Sequence, residues 1–561
     1  MSQGFDYDWM IIGSGFGGST SALRLSEKGY SVGVLESGKR FGDEDFPSST
    51  WDLKRYFFLP KFGLRGIFRL STFKDVAIAS GAGVGGGSLG YANTLYRPLP
   101  AFYADPQWAG LDDGWERTLE PHYDEAERML GVTDVLTDDP ADDVLKAFGE
   151  HLGVGDTYKK ARVGVYFGEE GVTVPDPFFG GDGPDRTGCI QCARCMVGCP
   201  HNAKNTLVKN YLYLAEKAGT TVHAEREVID ITPLGDRSGA DGYRITTQRS
   251  GAWTRRGRRS FTARGVVVSA GALGTNKLLQ RCRLNGSLGR ISSRLGELVR
   301  TNSEAILAVR LPKELPGQGR RVAITGSIYP DPNTHIETCS YGEAGDSMGF
   351  LNTLLVGDGT RVTRPLKLVG QILRHPVRWA KLLDVRGASQ RTIMLLVMQS
   401  LPGAMALRPH RLPNGAVRLQ TEQSTGEPSP TFIPVANQAA EWIARETGGV
   451  AQSSIFEAMA NIATTAHILG GAVIGKGPEN GVVDARNRVF GYENLLICDG
   501  SVVPANVGVN PSLTITALTE HAMSHIPAKG MEAFAALEVR PASVVSGSVT
   551  AEPVMHAPID A

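Results

Sequence analysis

The chain has 561 residues, of which 42% are hydrophobic and 21% are charged, a composition typical of globular proteins with room for two domains. The 58 basic and 58 acidic residues cancel, so net charge gives no reason to expect nucleic-acid binding. The sequence shows no long apolar stretch and no basic N-terminal region followed by an apolar run. We therefore expect a cytoplasmic protein without a signal peptide or a membrane span.

The first predicted element is a βαβ unit over residues 9–34. Gly13, Gly15 and Gly18 form a G-x-G-x-x-G pattern that follows the apolar strand WMII and opens a helix. These glycines allow a tight turn, a close approach to a pyrophosphate and helix–strand packing, respectively. Glu36 ends the next strand, where it would accept hydrogen bonds from a ribose. Because strand, helix and acidic residue are all in register, we predict a dinucleotide site without a 2′-phosphate.

Two segments rich in basic and aromatic residues are candidates for a lid over the cofactor or for contacts with a membrane surface. Residues 51–70 (WDLKRYFFLPKFGLRGIFRL) suit a lid over the cofactor that also touches a membrane surface. Residues 364–383 (RPLKLVGQILRHPVRWAKLL) form a basic amphipathic pattern that Pro376 interrupts. The alternative for the second segment is an ordinary helix that packs on the protein and faces solvent.

A cysteine run at residues 189–199 has the spacing C-x₂-C-x₂-C-x₃-C-P of bacterial ferredoxins. We predict that its thiolates bind an iron–sulfur cluster, either [4Fe–4S] or [3Fe–4S], since no second cysteine group accompanies it. Zinc, a disulfide and free structural thiols are the alternatives. The predicted metal ligands are Cys189, Cys192, Cys195 and Cys199.

The remaining patterns predict a cofactor domain built from separated segments, with a substrate domain inserted between them. Strand-like sequences such as GVVVSAG resemble those of the first βαβ unit and are assigned to the same domain. The strand-like sequences AILAVRL and TIMLLVMQS are assigned to a second region. The predicted cofactor domain comprises 1–100, 185–305 and 455–530, the substrate domain 101–184 and 306–454, and a mobile tail 531–561.

Five sequence pieces occur in the order typical of one enzyme family: GSGFGGS, GAGVGGGSL, SAGALGTNKLL, AHILGGAVIG and CDGSVVPANVGVNPSLTITALTEHA. In them the chain resembles the glucose–methanol–choline (GMC) oxidoreductases, and within that family the actinobacterial cholesterol-oxidase-like branch. The resemblance implies an α/β fold with a discontinuous Rossmann-like FAD-binding domain and an inserted α+β substrate domain on an antiparallel sheet. It also implies non-covalent FAD, contacted by Gly85, Gly86, Gly87, Ser88, Val228, Ala270, Gly271, Asp499, Gly500, Asn510 and Pro511 in addition to Gly13, Gly15, Gly18 and Glu36.

The same resemblance implies an alcohol-oxidising site. A carbinol carbon releases hydride more readily as its hydroxyl loses a proton, and an imidazole is suited to take that proton. His467 is the candidate base, and Asn510 would orient the alcohol. Glu337 is the candidate proton carrier for a double-bond isomerisation, because a carboxyl group in an apolar cavity has a raised pKa. The alternative is that Glu337 is an ordinary strand or loop residue.

Three functions remain open on the sequence. The first is oxidation of the 3β-hydroxyl of cholesterol or a related sterol, with possible Δ5 to Δ4 isomerisation. The second is a dehydrogenase of a sugar or other bulky alcohol that passes electrons through the cysteine cluster to an external acceptor. The third is a non-catalytic electron-transfer or sterol-binding flavoprotein, which the presence of both His467 and Asn510 disfavours. Either dioxygen or an external carrier could reoxidise the flavin.

Overall fold

The computed structural model describes residues 4–531 except 109, 110, 112, 113, 255, 317, 318, 414 and 425, so nearly all of the predicted tail lies outside the described residues. Its strands are β1 (Tyr7–Ile12), β2 (Val32–Leu35), β3 (Phe58–Leu59), β4 (Leu64–Arg65), β5 (Phe68–Thr72), β6 (Val76–Gly81), β7 (Val132–Asp134), β8 (Lys159–Lys160), β9 (Arg162–Gly164), β10 (Thr173–Val174), β11 (Arg186–Thr187), β12 (Thr221–His223), β13 (Arg226–Pro233), β14 (Tyr243–Arg249), β15 (Arg259–Val268), β16 (Ala305–Arg310), β17 (Ile324–Asp331), β18 (Thr334–Cys339), β19 (Asn352–Leu354), β20 (Thr392–Gln399), β21 (Met405–Arg411), β22 (Val417–Gln423), β23 (Val450–Ser454), β24 (Ala463–Thr465) and β25 (Leu495–Ile497).

The α-helices frame these strands, and short 3₁₀ turns connect several of them. They are α1 (Phe16–Glu27), α2 (Leu53–Tyr56), α3 (Trp115–Leu130), α4 (Pro140–His151), α5 (Tyr211–Lys217), α6 (Gly271–Asn285), α7 (Thr363–Arg374), α8 (Pro376–Leu383), α9 (Pro434–Thr447), α10 (Ile455–Ala460) and α11 (Ser512–Ser524). None of the helices within the described residues is long and apolar enough to cross a membrane.

The first large sheet is of the dinucleotide-binding type. Strands β12, β2, β1, β15 and β25 run parallel; β14 then pairs antiparallel with β15, and β13 pairs antiparallel with β14. The central strand β1 is apolar and buried where it pairs with β2 and β15, as expected for a strand covered on both faces. This sheet confirms the predicted Rossmann-like domain.

Helix α1 packs closely on this sheet because two of its first residues are glycines. A β-carbon on Gly17 would collide with the carbonyl oxygen of Cys498, and one on Gly18 would collide with that of Gly13. Only residues without side chains allow the helix to approach the backbone this closely. The G-x-G-x-x-G pattern therefore works in packing as well as in ligand binding.

The second large sheet is antiparallel throughout, with the order β19-β23-β16-β20-β18-β17-β8. Helices α4 and α9 cover one face of it, where Leu145, Phe148 and Ile443 pack against buried strand residues. The predicted inserted α+β unit on an antiparallel sheet is therefore confirmed. Strand β16, third in this order, begins at Ala305.

The residues between 101 and 184 contribute to both cores. Helix α3 packs against α11 in the core of the first sheet, where Leu119 and Tyr123 are buried. Helix α4 and strand β8, in contrast, belong to the second sheet. This stretch therefore connects the two units.

Candidate active site

A cavity of about 520 Å³ opens at the carboxyl ends of β1 and β2. The segments that follow β1, β2, β6 and β15 line it, so four distant parts of the chain meet there. In open α/β sheets, ligands bind in this position. The predicted cofactor residues that line the cavity are Gly13, Gly15, Glu36, Gly86, Gly87, Val228, Ala270 and Gly271.

The residues at the mouth of α1 fit a dinucleotide. Gly13 has a φ of 102°, and a β-carbon on it would collide with the carbonyl oxygen of Ser269. Gly15 precedes α1, no side chain caps the helix there, and a β-carbon on Gly15 would enter open space. The first-turn N–H groups and the helix dipole are thus available to an anionic pyrophosphate. Glu36 holds this turn in place, because its carboxylate accepts hydrogen bonds from Ser14 (2.8 Å) and from the N–H of Gly38 (2.8 Å).

The other predicted cofactor residues lie outside the lining of this cavity: Gly18, Gly85, Ser88, Asp499, Gly500, Asn510 and Pro511. Two of them, Ser88 and Asp499, hydrogen-bond to segments that line the cavity or lie next to its lining. The Ser88 hydroxyl donates to the carbonyl of Gly85 (2.7 Å) and fixes the glycine-rich loop. The Asp499 carboxylate accepts from the Thr275 hydroxyl (2.5 Å) at the start of α6, and burial raises the pKa of this carboxyl group.

The segment predicted as a lid contributes to the same cavity. Its residues Phe58, Leu59, Lys61 and Phe62 line the cavity together with the glycines of the dinucleotide site. Phe62 is nonetheless 75% exposed, and its ring meets that of Trp253 edge-on. The segment therefore forms part of the cavity wall, and its role as a lid stays a prediction.

The predicted iron–sulfur site is not supported. Among the residues that the structure describes, no three His, Cys, Asp or Glu side chains are grouped so that they could hold a metal ion. Cys189, Cys192, Cys195 and Cys199 are free thiols. Burial raises the pKa of Cys189 and Cys192, and raises that of Cys195 to about 11.

The cysteine run instead forms a tightly turned loop beside the glycine-rich loop. Gln191, Ala193 and Cys199 have left-handed backbone conformations, with φ of 57°, 56° and 67°. The buried ammonium group of Lys204 donates to the carbonyls of Cys195 (2.8 Å) and Leu89 (2.9 Å), which joins the two loops. In the described structure the cysteine run therefore acts as a packing element, because Lys204 fixes its backbone against the glycine-rich loop.

His467 follows β24, and a carboxylate holds its ring. Strand β24 runs parallel to β6, with Thr465 opposite Ile78, so His467 emerges at the same edge as the glycine-rich loop that follows β6. Its Nδ1 lies 3.0 Å from Oε2 of Glu304, although the N–H is not directed straight at the carboxylate. Glu304 is fully buried and also accepts from the Thr465 hydroxyl (2.7 Å) and the Ala466 N–H (2.9 Å).

The segment that holds His467 also holds the loop of Asn510. The side chain of Asn302 donates to the carbonyl of Val509 (2.8 Å) and accepts from the N–H of Gly508 (2.9 Å). Asn302 and Glu304 are two residues apart, so this short segment brings the two predicted site residues to the same end of the second sheet. Asn510 is 6% exposed, and its Oδ1 has no hydrogen-bond partner among the described residues.

Glu337 lies on β18 and is fully buried. Burial is the main reason why the pKa of its carboxyl group is raised to about 8; the side chains of Asn510 and Tyr96 act against this rise, and the charge of Glu304 adds to it. Neither carboxyl oxygen makes a well-aligned hydrogen bond among the described residues, although the side chains of Asn510 and Tyr96 lie close enough to act on it. A buried carboxyl group without a well-aligned hydrogen bond is costly, which is typical of a group that binds a ligand. Glu337 is therefore not an ordinary surface residue.

An aromatic wall adjoins Glu337. The ring of His335 lies between those of Tyr96 and Tyr329, with centroid distances of 5.1 and 4.7 Å. Its Nε2 is 4.0 Å from Glu337, and burial lowers the pKa of the ring to about 3, so His335 is neutral. The neutral ring provides no positive charge that would stabilise the Glu337 carboxylate, so the pKa of Glu337 stays high.

Four residues of the site were not predicted from the sequence: Glu304, Asn302, His335 and Tyr96. Their local sequences are strand-like or loop-like and contain no motif. The one available indication was charge: Glu304 immediately precedes an apolar strand that is otherwise suited to a core, where a carboxyl group needs a partner.

The fold and the site together define a dinucleotide-dependent oxidoreductase with an imidazole–carboxylate pair at the same edge as the glycine-rich loop. Models described as GMC oxidoreductase match residues 183–296 and 413–519, and one described as an NAD(P)-binding Rossmann-like domain matches residues 11–45. The chain is 47% identical over 538 residues to a cholesterol oxidase of Mycobacterium tuberculosis strain H37Rv, covering 94% of this chain and 92% of that protein. The chain therefore belongs to the GMC oxidoreductase family, as predicted.

Other relatives agree with this assignment. A cholesterol oxidase of Acinetobacter baumannii is 46% identical over 94% of this chain and 95% of its own length. Among solved structures, pyridoxine 4-oxidase from Mesorbium loti has a TM-score of 0.60 at 16% identity, covering 92% of this chain and 98% of that chain. A fungal aryl-alcohol oxidase has a TM-score of 0.58 at 13% identity, covering 93% and 98%. These structures share the fold, and FAD as the cofactor is supported.

Proposed function

We propose that the protein is an FAD-dependent alcohol oxidoreductase that oxidises the 3β-hydroxyl of cholesterol or a related sterol. The substrate class rests on the two cholesterol oxidases, which are 46% and 47% identical over most of the chain. The observation that carries the chemistry is the short segment of Asn302 and Glu304, which contacts both His467 and the loop of Asn510.

In this proposal, His467 takes part in the first proton transfer. When bound, FAD supplies the acceptor for the hydride of the carbinol carbon. Glu304 faces Nδ1, so the opposite ring nitrogen, Nε2, is left to accept a hydrogen bond from the substrate hydroxyl. Glu304 would stabilise the positive charge that the ring gains with that proton, and the free Oδ1 of Asn510 makes its amide available to orient the alcohol.

Glu337 is the proposed proton carrier for isomerisation. Oxidation of a Δ5 sterol gives a ketone whose double bond lies one carbon away from conjugation. A carboxylate can remove a proton from the carbon between ketone and alkene and return it to the far alkene carbon. A pKa of about 8 suits both halves of this transfer near neutral pH, since the group is neither too weak as a base nor too weak as an acid.

Dioxygen is the proposed electron acceptor. The two most similar relatives quoted are named as oxidases, and the cysteine run does not provide a relay within the described residues. Two electrons and two protons taken from the alcohol would reduce dioxygen to hydrogen peroxide, which balances the reaction.

The test is an anaerobic titration of the FAD-loaded protein with cholesterol in detergent micelles, followed by admission of air. We expect loss of the flavin absorbance with cholesterol, and one hydrogen peroxide per ketone after reoxidation. His467→Ala should slow flavin reduction by about 100-fold or more while FAD stays bound, whereas the exposed His410→Ala should not change the rate. Unchanged reduction in His467→Ala, or no bleaching by any sterol, would contradict the proposal.

A further inference from the structure

Helices α7 and α8 present an apolar stripe to solvent. The exposed fractions along it are 68% for Val362, 65% for Leu366, 52% for Val369, 76% for Leu373 and 66% for Val377. The spacing of four, three, four and four residues places these side chains on one side of the helical path. A single exposed leucine is ordinary, but a continuous row of five exposed aliphatic residues is not.

The exposed stripe is distinct from the face by which α7 and α8 pack on the protein. The opposite side of α7 and α8 packs on the protein through Leu368, Ile372, Trp379 and Leu382. The guanidinium group of Arg364, in the first turn of α7, is fully buried and donates to the carbonyl of Thr431 (2.7 Å) and the side chain of Asn461. Both helices therefore have an occupied inner face and a second, uncovered apolar face.

The charged residues within α7 and α8 are all positive. Residues 361–383 contain six Lys or Arg side chains and no Asp or Glu. Arg374, Arg378 and Lys381 are exposed, and none of them has an acidic partner within 4 Å among the residues that the structure describes. An apolar row with adjacent unpaired cations matches the headgroup region of an anionic bilayer, where aliphatic side chains enter the acyl layer and cations meet phosphates.

The surface is connected to the candidate active site. Helix α7 packs on α10, and the Arg364–Asn461 contact lies two residues before β24, which leads to His467. At the other end, α8 packs on the turn that carries Phe350, whose half-exposed ring contacts the exposed ring of Trp51 edge-on at 6.0 Å. Trp51 begins the segment 51–70, of which Phe58 to Phe62 line the cofactor cavity, so packing contacts link α8 to the wall of the cofactor cleft.

We propose that this surface, formed by the outward stripe of α7 and α8 with Arg374, Arg378 and Lys381, docks the enzyme on anionic phospholipid bilayers. The inference deepens the proposed function and rests on it in one respect: a sterol resides in a bilayer, so docking places the entrance of the site next to its substrate. A second copy of the chain is a poorer occupant, because a symmetric contact would bring like charges together.

The experiment measures co-sedimentation of the FAD-loaded protein with sterol-free vesicles of phosphatidylcholine, with and without phosphatidylglycerol. We expect binding to the anionic vesicles that weakens with salt and is much lower on phosphatidylcholine alone. Leu366→Glu combined with Leu373→Glu should lower the partition coefficient by about 100-fold, from roughly tenfold for each buried leucine. Arg374→Gln combined with Lys381→Gln should lower it by about 30-fold.

Leu136→Glu is the matched control, because Leu136 is 69% exposed but lies outside α7 and α8, and it should bind vesicles like the original protein. Thermal unfolding should be unchanged in all variants, since every altered side chain is exposed. Equal binding by the double-leucine variant, or no binding by the original chain, overturns the inference, as does loss of a dimer in that variant by sedimentation velocity. Cholesterol turnover in detergent micelles separates the two proposals: turnover without vesicle binding refutes only the docking surface, and vesicle binding without turnover refutes only the sterol activity.

Discussion

Glu337→Gln tests whether the buried carboxyl group is kept at a cost in stability for its chemistry. Burial raises the pKa of Glu337 from 4.5 to about 8. Between these values the folded protein keeps a proton that the unfolded chain has lost, so the contribution of this group to stability falls as pH rises from 4.5 to 8. At about 1.36 kcal/mol for each pH unit, the loss is on the order of 5 kcal/mol.

A glutamine in place of Glu337 carries no titrating proton, so the variant should gain stability over the original protein as pH rises. We expect equal or slightly lower stability for Glu337→Gln at pH 4.5, and a growing advantage up to pH 8 that then levels off. Urea unfolding followed by tryptophan fluorescence, at a series of pH values, measures this difference. Glu343→Gln, which changes an exposed carboxyl group four residues past β18, is the control and should show no such trend.

The same variant should separate the two proposed reactions. Oxidation of the alcohol should continue at a similar rate, while formation of the conjugated ketone should fall by about 100-fold or more, as expected when a positioned proton carrier is lost. The absorbance of the conjugated enone reports the second step and hydrogen peroxide reports the first. A pH-independent stability difference would refute the burial argument, and undiminished enone formation would refute the catalytic role.

Two further predictions concern the residues around the cofactor cleft. Glu304→Gln should slow flavin reduction by about 10- to 100-fold, because a charge-assisted contact to His467 contributes roughly 1.5–3 kcal/mol. The FAD content should be unchanged, and Glu304→Asp should restore part of the rate. Loss of FAD instead would indicate a merely structural role. Gly17→Ala should destabilise even the FAD-free protein by about 1–3 kcal/mol, because the new β-carbon would collide with the carbonyl of Cys498. Gly15→Ala should weaken FAD binding alone, because its β-carbon would enter open space. Equal effects of the two variants on the stability of the FAD-free protein would contradict the packing argument.

The cofactor half of the molecule was largely predictable from local sequence. The apolar strand β1, the glycines of the following turn, α1 and Glu36 lie within about thirty consecutive residues, so periodicity and glycine spacing report on contacts that are themselves local. The family resemblance extended this to His467 and Asn510. The cysteine run shows the opposite case, because a ferredoxin spacing does not by itself determine whether the folded loop arranges the thiols to hold a metal ion, and no such group is found among the described residues.

The sequence by itself thus determined the dinucleotide fold, the family and the chemical types of the proposed catalytic groups, because each is carried by a short pattern. Only the tertiary structure decided which groups meet. Thr465 and Glu304 are 161 residues apart, and Asn302 and Gly508 are 206 apart, yet these pairs build one site. The outward stripe of α7 and α8 likewise depends on which face the rest of the protein covers. Long-range contacts of this kind are set by packing of whole sheets, and no local pattern encodes their partners.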